Sequence, residues 1–153
     1  MTSGKRVTRS QRKTVADLLS AQKLGILATL GRAYPYQNIV AFAASNDLKN
    51  IFFATKRSTS KYSNLKSRKR VAIFIDDRSN RETDFRQATG ITAIGRALEL
   101  RGQIREKAAT LFLRKHPSLR EFVVAADCAL FAIQVRSYFV VLRFQDVFEA
   151  RMT

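Results

Sequence analysis

The chain has no tryptophan, one cysteine, one histidine and two prolines among its 153 residues. A lone Cys128 excludes an internal disulfide and any zinc cluster built on paired thiolates, and it points to a reducing cytoplasm. A lone His116 leaves little for nucleophilic catalysis, because nothing in the sequence places Cys128 or a serine beside it. Asp76-Asp77 and Glu82 with Asp84 have no histidine near them, which argues against a transition-metal site. No apolar run approaches the roughly 18 to 20 residues that span a bilayer. The basic start MTSGKRVTRSQRK lacks the apolar core of a signal peptide. Repeats and low-complexity tracts are absent, as are a strand–GxGxxG–helix unit and a P-loop.

Acid is scarce as well. Twelve Asp and Glu face 28 Lys and Arg, for a formal net charge of +16. Such a charge favours anionic partners: a phosphorylated cofactor, nucleic acid or an acidic surface. It is placed unevenly. Residues 4–16 hold Lys5, Arg6, Arg9, Arg12 and Lys13 without an acid, and Lys56 to Arg70 form a second acid-free block. Residues 1–9 are expected to be a disordered basic arm, and residues 10–153 a single domain long enough to bury one core.

Patterning predicts a mainly β, α+β domain. Ser10 is a candidate cap for a helix over 11–22, with Val15, Leu18, Leu19 and Leu24 at helical spacing. Three strands follow at Leu24–Leu30, Tyr36–Ala44 and Ile51–Ala54, close enough together to read as an antiparallel meander. Ser58–Lys69 reads as a helix with Leu65 inward. Arg70–Asp76 is a strand, and Gly90–Leu100 a long one whose Gly95 signals a bulge or close backbone approach. Gln103–Leu113 is an amphipathic helix with Ile104, Ala108, Leu111 and Phe112 on one side, and Leu119–Val124 continues helical. Ala129–Val135 and Tyr138–Phe144 close the chain as strands. Six to seven strands with marginal helices make an antiparallel β-barrel of the α+β type the expected fold.

The chemistry concentrates in FFATKRSTSKYSNL, residues 52–65, where an aromatic strand enters a basic, hydroxyl-rich turn that opens a helix. Free N–H groups at a helix start, with hydroxyls and a lysine, suit a phosphate monoester. Read locally, Ser58 or Ser60 could equally be a plain helix cap beside solvated lysines.

From Val15 to Phe144 the chain resembles the pyridoxamine 5'-phosphate oxidase-like FMN-binding split-barrel family. The likeness rests on LATLGRAYPYQNIVAFAA, an aromatic strand ending at Thr55, Lys61 six residues later, NLKSRKRVAIFID and AIGRALEL. The resemblance implies the split form of this fold, an antiparallel split β-barrel, and FMN as cofactor, with Lys61 pairing with its phosphate and Thr55 and Ser60 donating hydrogen bonds. Ser60 stands where the oxidases proper often carry arginine, so Arg57 is the candidate substitute. The strand with Asn38, Ile39 and Val40 would line the flavin ring through backbone groups. Residues Thr89 to Thr92 would reach the same flavin from a partner subunit. The implied protein is thus an FMN-dependent oxidoreductase or flavin carrier, homodimeric, with a small-molecule electron donor or acceptor.

The resemblance has a limit. The family's oxidases end in an arginine- and histidine-rich segment that grips the substrate, whereas this chain ends in VRSYFVVLRFQDVFEARMT, with no histidine. Oxidation of pyridoxamine 5'-phosphate itself is therefore not expected. Similar barrels that bind haem use a histidine, for which His116 is the sole candidate here, and others take a deazaflavin. A nucleic-acid-binding module is the alternative from charge alone, but the aromatics fall on alternating strand positions rather than on a stacking platform.

Overall fold

The structure, a computed structural model, describes residues 7–152. Helix α1 (Arg9–Ala21) opens the described chain. Its cap is Thr8, not Ser10: the Thr8 hydroxyl accepts from the Gln11 N–H while the Gln11 side chain accepts from the Thr8 N–H. Val7 packs against the core. Residues 7–9 of the expected arm are thus part of the fold, and residues 1–6 lie outside the described part. Val15, Leu18 and Leu19 are buried, as their spacing requires.

Eight strands form one antiparallel sheet: β1 (Leu24–Leu30), β2 (Pro35–Ala41), β3 (Ala43–Ala44), β4 (Asn50–Lys56), β5 (Arg70–Asp76), β6 (Thr89–Glu99), β7 (Cys128–Leu142) and β8 (Asp146–Arg151). Their spatial order is β2-β1-β5-β6-β7-β4-β3, with β8 added on β7. The first three expected strands are therefore not a simple meander. β2 and β3 are consecutive in the chain yet sit at opposite ends of the sheet, separated by Phe42 alone. The sheet curls so that one strand, broken at Phe42, supplies both of its edges. This makes the fold a split barrel.

Phe42 is held at this corner from three sides. Its N–H donates to the Lys23 carbonyl, its carbonyl accepts from His116 Nε2 at 2.7 Å, and its ring is fully buried. His116, at the end of α4 (Gly102–Lys115), is thus a satisfied core histidine and not a free base.

The bulge predicted at Gly95 is present: the β6–β7 register shifts between Ile94 and Gly95 and leaves Arg136 without a partner on β6. It also changes which side chains of β7 face inward. Ala129, Phe131, Ile133 and Val135 enter the main core, and after the bulge Tyr138 and Val140 do so. Two expected strands are therefore one strand of 15 residues. Its lower part pairs β4 and its upper part pairs β8 on the same edge.

Helix α2 (Ser60–Ser67) packs by Leu65, and the short α3 (Asp84–Gln87) lies in the β5–β6 connection. Helices α4 and α5 (Arg120–Val124) cover the lower end of β4 and β7 with Ala108, Phe112, Leu113 and Val123. Ile104, placed by the pattern on one side with Ala108, Leu111 and Phe112, is 68% exposed. Beyond them the short α3 borders the outer face, where its Asp84 and Phe85 line a cavity with Phe74. The register aligns one row of paired residues across that face, Ile39, Ile26, Phe74, Thr92 and Phe139. Of the row, Ile39, Phe74 and Phe139 are exposed. No helix of the described residues is long and apolar enough to cross a membrane.

Candidate functional site

Where the barrel splits, β2 and β4 approach without forming a ladder. β2 pairs with β1 alone, and β4 pairs with β3 through Ile51 and Phe52 only on that side. The free edges of Ile39–Ala41 and Ala54–Lys56 therefore face one cavity of about 370 Å³. Unpaired strand edges present alternating N–H and C=O groups to whatever lies between them. The cavity is also lined by Thr59 and Lys61 from the turn and first turn of α2. Phe112, Leu119 and Phe122 form its apolar wall.

The turn that delivers Lys61 is fixed internally. Thr59 is the helix cap, accepting from the Tyr62 N–H at 3.3 Å and donating to the Lys56 carbonyl at 2.9 Å. The Thr55 hydroxyl, almost completely buried, lies 2.8 Å from that of Thr59 and donates to it, since the Thr59 proton is already used. Both threonines thus shape the turn. The groups left for an anion are the half-buried Lys61 ammonium, the exposed Ser60 hydroxyl and the first N–H groups of α2, which have no intrahelical acceptor. No carboxylate lines the cavity. Lys56 reaches Asp127 at 3.7 Å, an exposed pair of little strength.

Arg57 is placed elsewhere. Its guanidinium donates to Glu99 at 2.7 Å and to the carbonyls of Ala126 and Cys128. The Glu99 hydrogen bond holds its pKa above the usual arginine value. It ties β4 to β6 and to the start of β7, and does not line the cavity. Asn38 stands next to the cavity on β2. Its buried Oδ1 is the one buried side-chain polar atom without a partner among the described residues. An orphaned acceptor beside a free strand edge suits a ligand that donates an N–H.

Thr89 and Thr92 do not join this cavity within one chain. Thr92 lies in the exposed row of the outer face, and the Thr89 N–H donates to Asp77 at 2.7 Å. Thr89 lines a different cavity, of about 590 Å³, with Phe74, Phe85, Gly90 and Phe144. Of the sequence-predicted residues, then, Ile39, Val40, Thr55 and Lys61 meet in the split, and Asn38 and Ser60 border it. Sequence reading missed Thr59 and the wall of Phe112, Leu119 and Phe122. Thr59 carried a legible signal, a cap-type residue just before the helix. The wall had none, because only the fold brings α4 and α5 to β2.

The ligand-binding capacity of these residues fits a phosphorylated flavin. Among the described residues Lys61 has no acid partner and would meet a phosphate, the two free strand edges and the Asn38 oxygen would face the polar edge of a ring, and the aromatic and aliphatic side chains would face its flat sides. Among the described residues no cluster of His, Cys, Asp or Glu could hold a metal ion.

Residues 12–141 match the model of the pyridoxamine 5'-phosphate oxidase family. No protein of curated function matches the chain. Solved structures share the fold at low identity. A heme binding protein from Mycobacterium smegmatis superposes with a TM-score of 0.78 at 16% identity, over 88% of this chain and 55% of that one. This chain thus spans about half of that relative's length. An FAD-binding protein from Mesorhizobium loti gives 0.65 at 21% identity, over 84% and 91% of the two chains. General Stress Protein 26 from Bacillus anthracis gives 0.69 at 16% identity, over 92% and 98%.

Proposed function

The chain belongs to the pyridoxamine 5'-phosphate oxidase family, and from that premise we propose that it is a cytoplasmic FMN-binding flavoprotein, an oxidoreductase that holds FMN in the split between β2 and β4. The observation that carries this reading is the convergence on one cavity of Lys61, the start of α2 and two unpaired strand edges. FMN, when bound, supplies the electron chemistry at its ring. The chain's own part is to bind, orient and shield. Lys61, Ser60 and the first N–H groups of α2 hold the phosphate. Thr55 and Thr59 keep that turn rigid. Asn38 Oδ1 accepts from the ring's N–H, and Phe112, Leu119 and Phe122 exclude water from one side.

The cavity is open toward the outer face, where Ile39 is 70% exposed. We therefore include a second copy in the proposal: a homodimer whose partner subunit closes the site with its Thr89–Thr92 strand. A small-molecule electron donor or acceptor would enter beside the ring. Pyridoxamine 5'-phosphate is not the proposed substrate, because the chain's histidine is buried at Phe42 and lies outside the cavity lining. The same bond takes His116 away from a haem iron.

The test is equilibrium binding of FMN, FAD and riboflavin to the purified protein. FMN should bind most tightly, because Lys61 and α2 recognise a terminal phosphate. Lys61→Ala should weaken FMN by about 10- to 150-fold, the span of roughly 1.5–3 kcal/mol for a hydrogen bond to a charged group, and leave riboflavin unaffected. Equal affinity for FMN and riboflavin in the unaltered protein would sink the phosphate assignment.

A further inference from the structure

On the outer face, over the row of paired residues next to the Phe74 row, lies a third cavity, of about 630 Å³, shaped by the strands themselves. Its floor is made of small and apolar residues, among them Ala28, Ala72, Ile94 and Gly95. Its charged lining is Arg70, Arg96 and Arg136, with no carboxylate among the lining residues. It shares no residue with the cavity at Lys61.

The ladder places these arginines together at a cost. Arg70 and Arg96 are direct partners across β5 and β6, and like charges opposite one another destabilise a sheet. Arg96 in turn pairs with Gln134, and the bulge adds Arg136 two residues on, as the residue of β7 left unmatched by β6. All three are exposed. None forms a side-chain hydrogen bond or ion pair among the described residues, so all three guanidinium groups keep their donors free. Hydrogen bonds from Arg151 and Ser137 hold the Glu149 carboxyl below its usual pKa, and the Arg136 charge helps without a hydrogen bond of its own. Three guanidinium groups without a direct ion pair around an apolar floor concentrate positive potential, because low-dielectric walls focus the field. Their planar forks match phosphate oxygens in pairs. A single carboxylate would leave most of this charge uncompensated; a phosphate dianion would not. The cavity volume lies in the range of small-ligand sites, and the three charges form a compact cluster rather than a track.

We propose that this groove is an anion site, separate from the flavin cavity, that binds the phosphate monoester of a small molecule with an apolar body. The arginines grip the phosphate, and the Ala28–Ala72–Ile94 floor takes the body.

The probe is phenyl phosphate, titrated calorimetrically into the full chain with and without FMN, with inorganic phosphate and a short DNA duplex as comparison ligands. Phenyl phosphate should bind saturably in both conditions and more tightly than inorganic phosphate. Arg70→Gln with Arg96→Gln should weaken it at least about tenfold, the equivalent of one charged hydrogen bond, and should raise the melting temperature without ligand, since the opposed charges are gone. Arg136→Gln, which leaves the β5–β6 ladder intact, should weaken it in the same direction. Lys61→Ala should leave it unchanged, so failure of the flavin reading and failure of this one are distinguishable. Undiminished binding in the arginine variants, loss of binding in Lys61→Ala, or equal affinity for inorganic phosphate would each overturn the proposal. So would displacement by the duplex at lower concentration with a steep salt dependence, which would make the face a nucleic-acid surface.

Discussion

Lys115 sits in the last turn of α4 with its ammonium 4.1 Å from the centre of the Phe42 ring and donating to the Leu19 carbonyl at 2.7 Å. It fastens α4 to α1 at the corner where the barrel closes. Partial burial lowers its pKa from 10.5 to about 8. Below about pH 8 the ammonium is charged in folded and unfolded chains, and the burial cost is fully present. Between pH 8 and 10.5 the unfolded chain keeps a proton that the folded one has released, so stability rises with pH in that window. The melting temperature of the natural chain, relative to Lys115→Met, should climb from pH 7.5 to 9.5. A constant difference across that range would show that burial does not dominate at this lysine. Cys128 belongs to the same scale: it is buried, burial pushes its thiol pKa up, and it should react with thiol reagents only on unfolding.

Among the elements, the β6–β7 ladder shows how one glycine shapes a strand. A Cβ on Gly95 would overlap the Gln134 carbonyl oxygen and lie 2.9 Å from its carbon, both backbone atoms. Neither can move without opening the ladder. Gly95→Ala should therefore cost on the order of 1–3 kcal/mol, the scale of overpacking, seen as a lower urea midpoint. An unchanged midpoint would mean that the bulge relaxes freely. The bulge was legible in the sequence because a glycine inside an apolar strand weakens it, and is found mainly where the backbone bulges or another chain segment comes close. The β7–β8 hairpin was not. Its turn places Arg143 and Phe144 at φ 49° and 62°, closed by the Gln145 N–H on the Leu142 carbonyl. Positive φ at two central residues usually signals Asn-Gly, and Arg-Phe carries no such sign. The ring of Phe144 against Phe85, centroids 5.3 Å apart, accompanies the strained turn.

For the whole molecule, the large aromatic side chains divide between core and surface. Phe42, Phe131 and Tyr138 are buried, Tyr138 with its hydroxyl on the Leu48 carbonyl, while Tyr34, Phe74, Phe139 and Phe144 are exposed. A row across five strands that exposes Ile39, Phe74 and Phe139 is the kind of patch that marks an interface, and a two-fold pair is its commonest cover. Under the proposed function, FMN binding and dimerisation are linked: FMN should tighten the dimer and raise the melting temperature. Sedimentation equilibrium with and without FMN measures the first and a thermal melt the second. Phe139→Asp should yield a monomer with weakened FMN binding. A monomer that keeps full FMN affinity would show that one chain completes the site.

The sequence by itself determined the strands with strong alternation, the Gly95 bulge and the Thr55–Lys61 turn, because each rests on spacing within a few residues. It also determined the family likeness, because that rests on the order of such local patterns along the chain. Tertiary structure alone decided that β2 and β3 part at Phe42 to open a split, that α4 and α5 wall it, and that Arg57 turns to Glu99 instead of the cavity. It also decided that Arg70, Arg96 and Arg136 meet on one face. Those outcomes depend on which distant strands pair and in what register, and local patterning does not encode register between segments far apart in the chain.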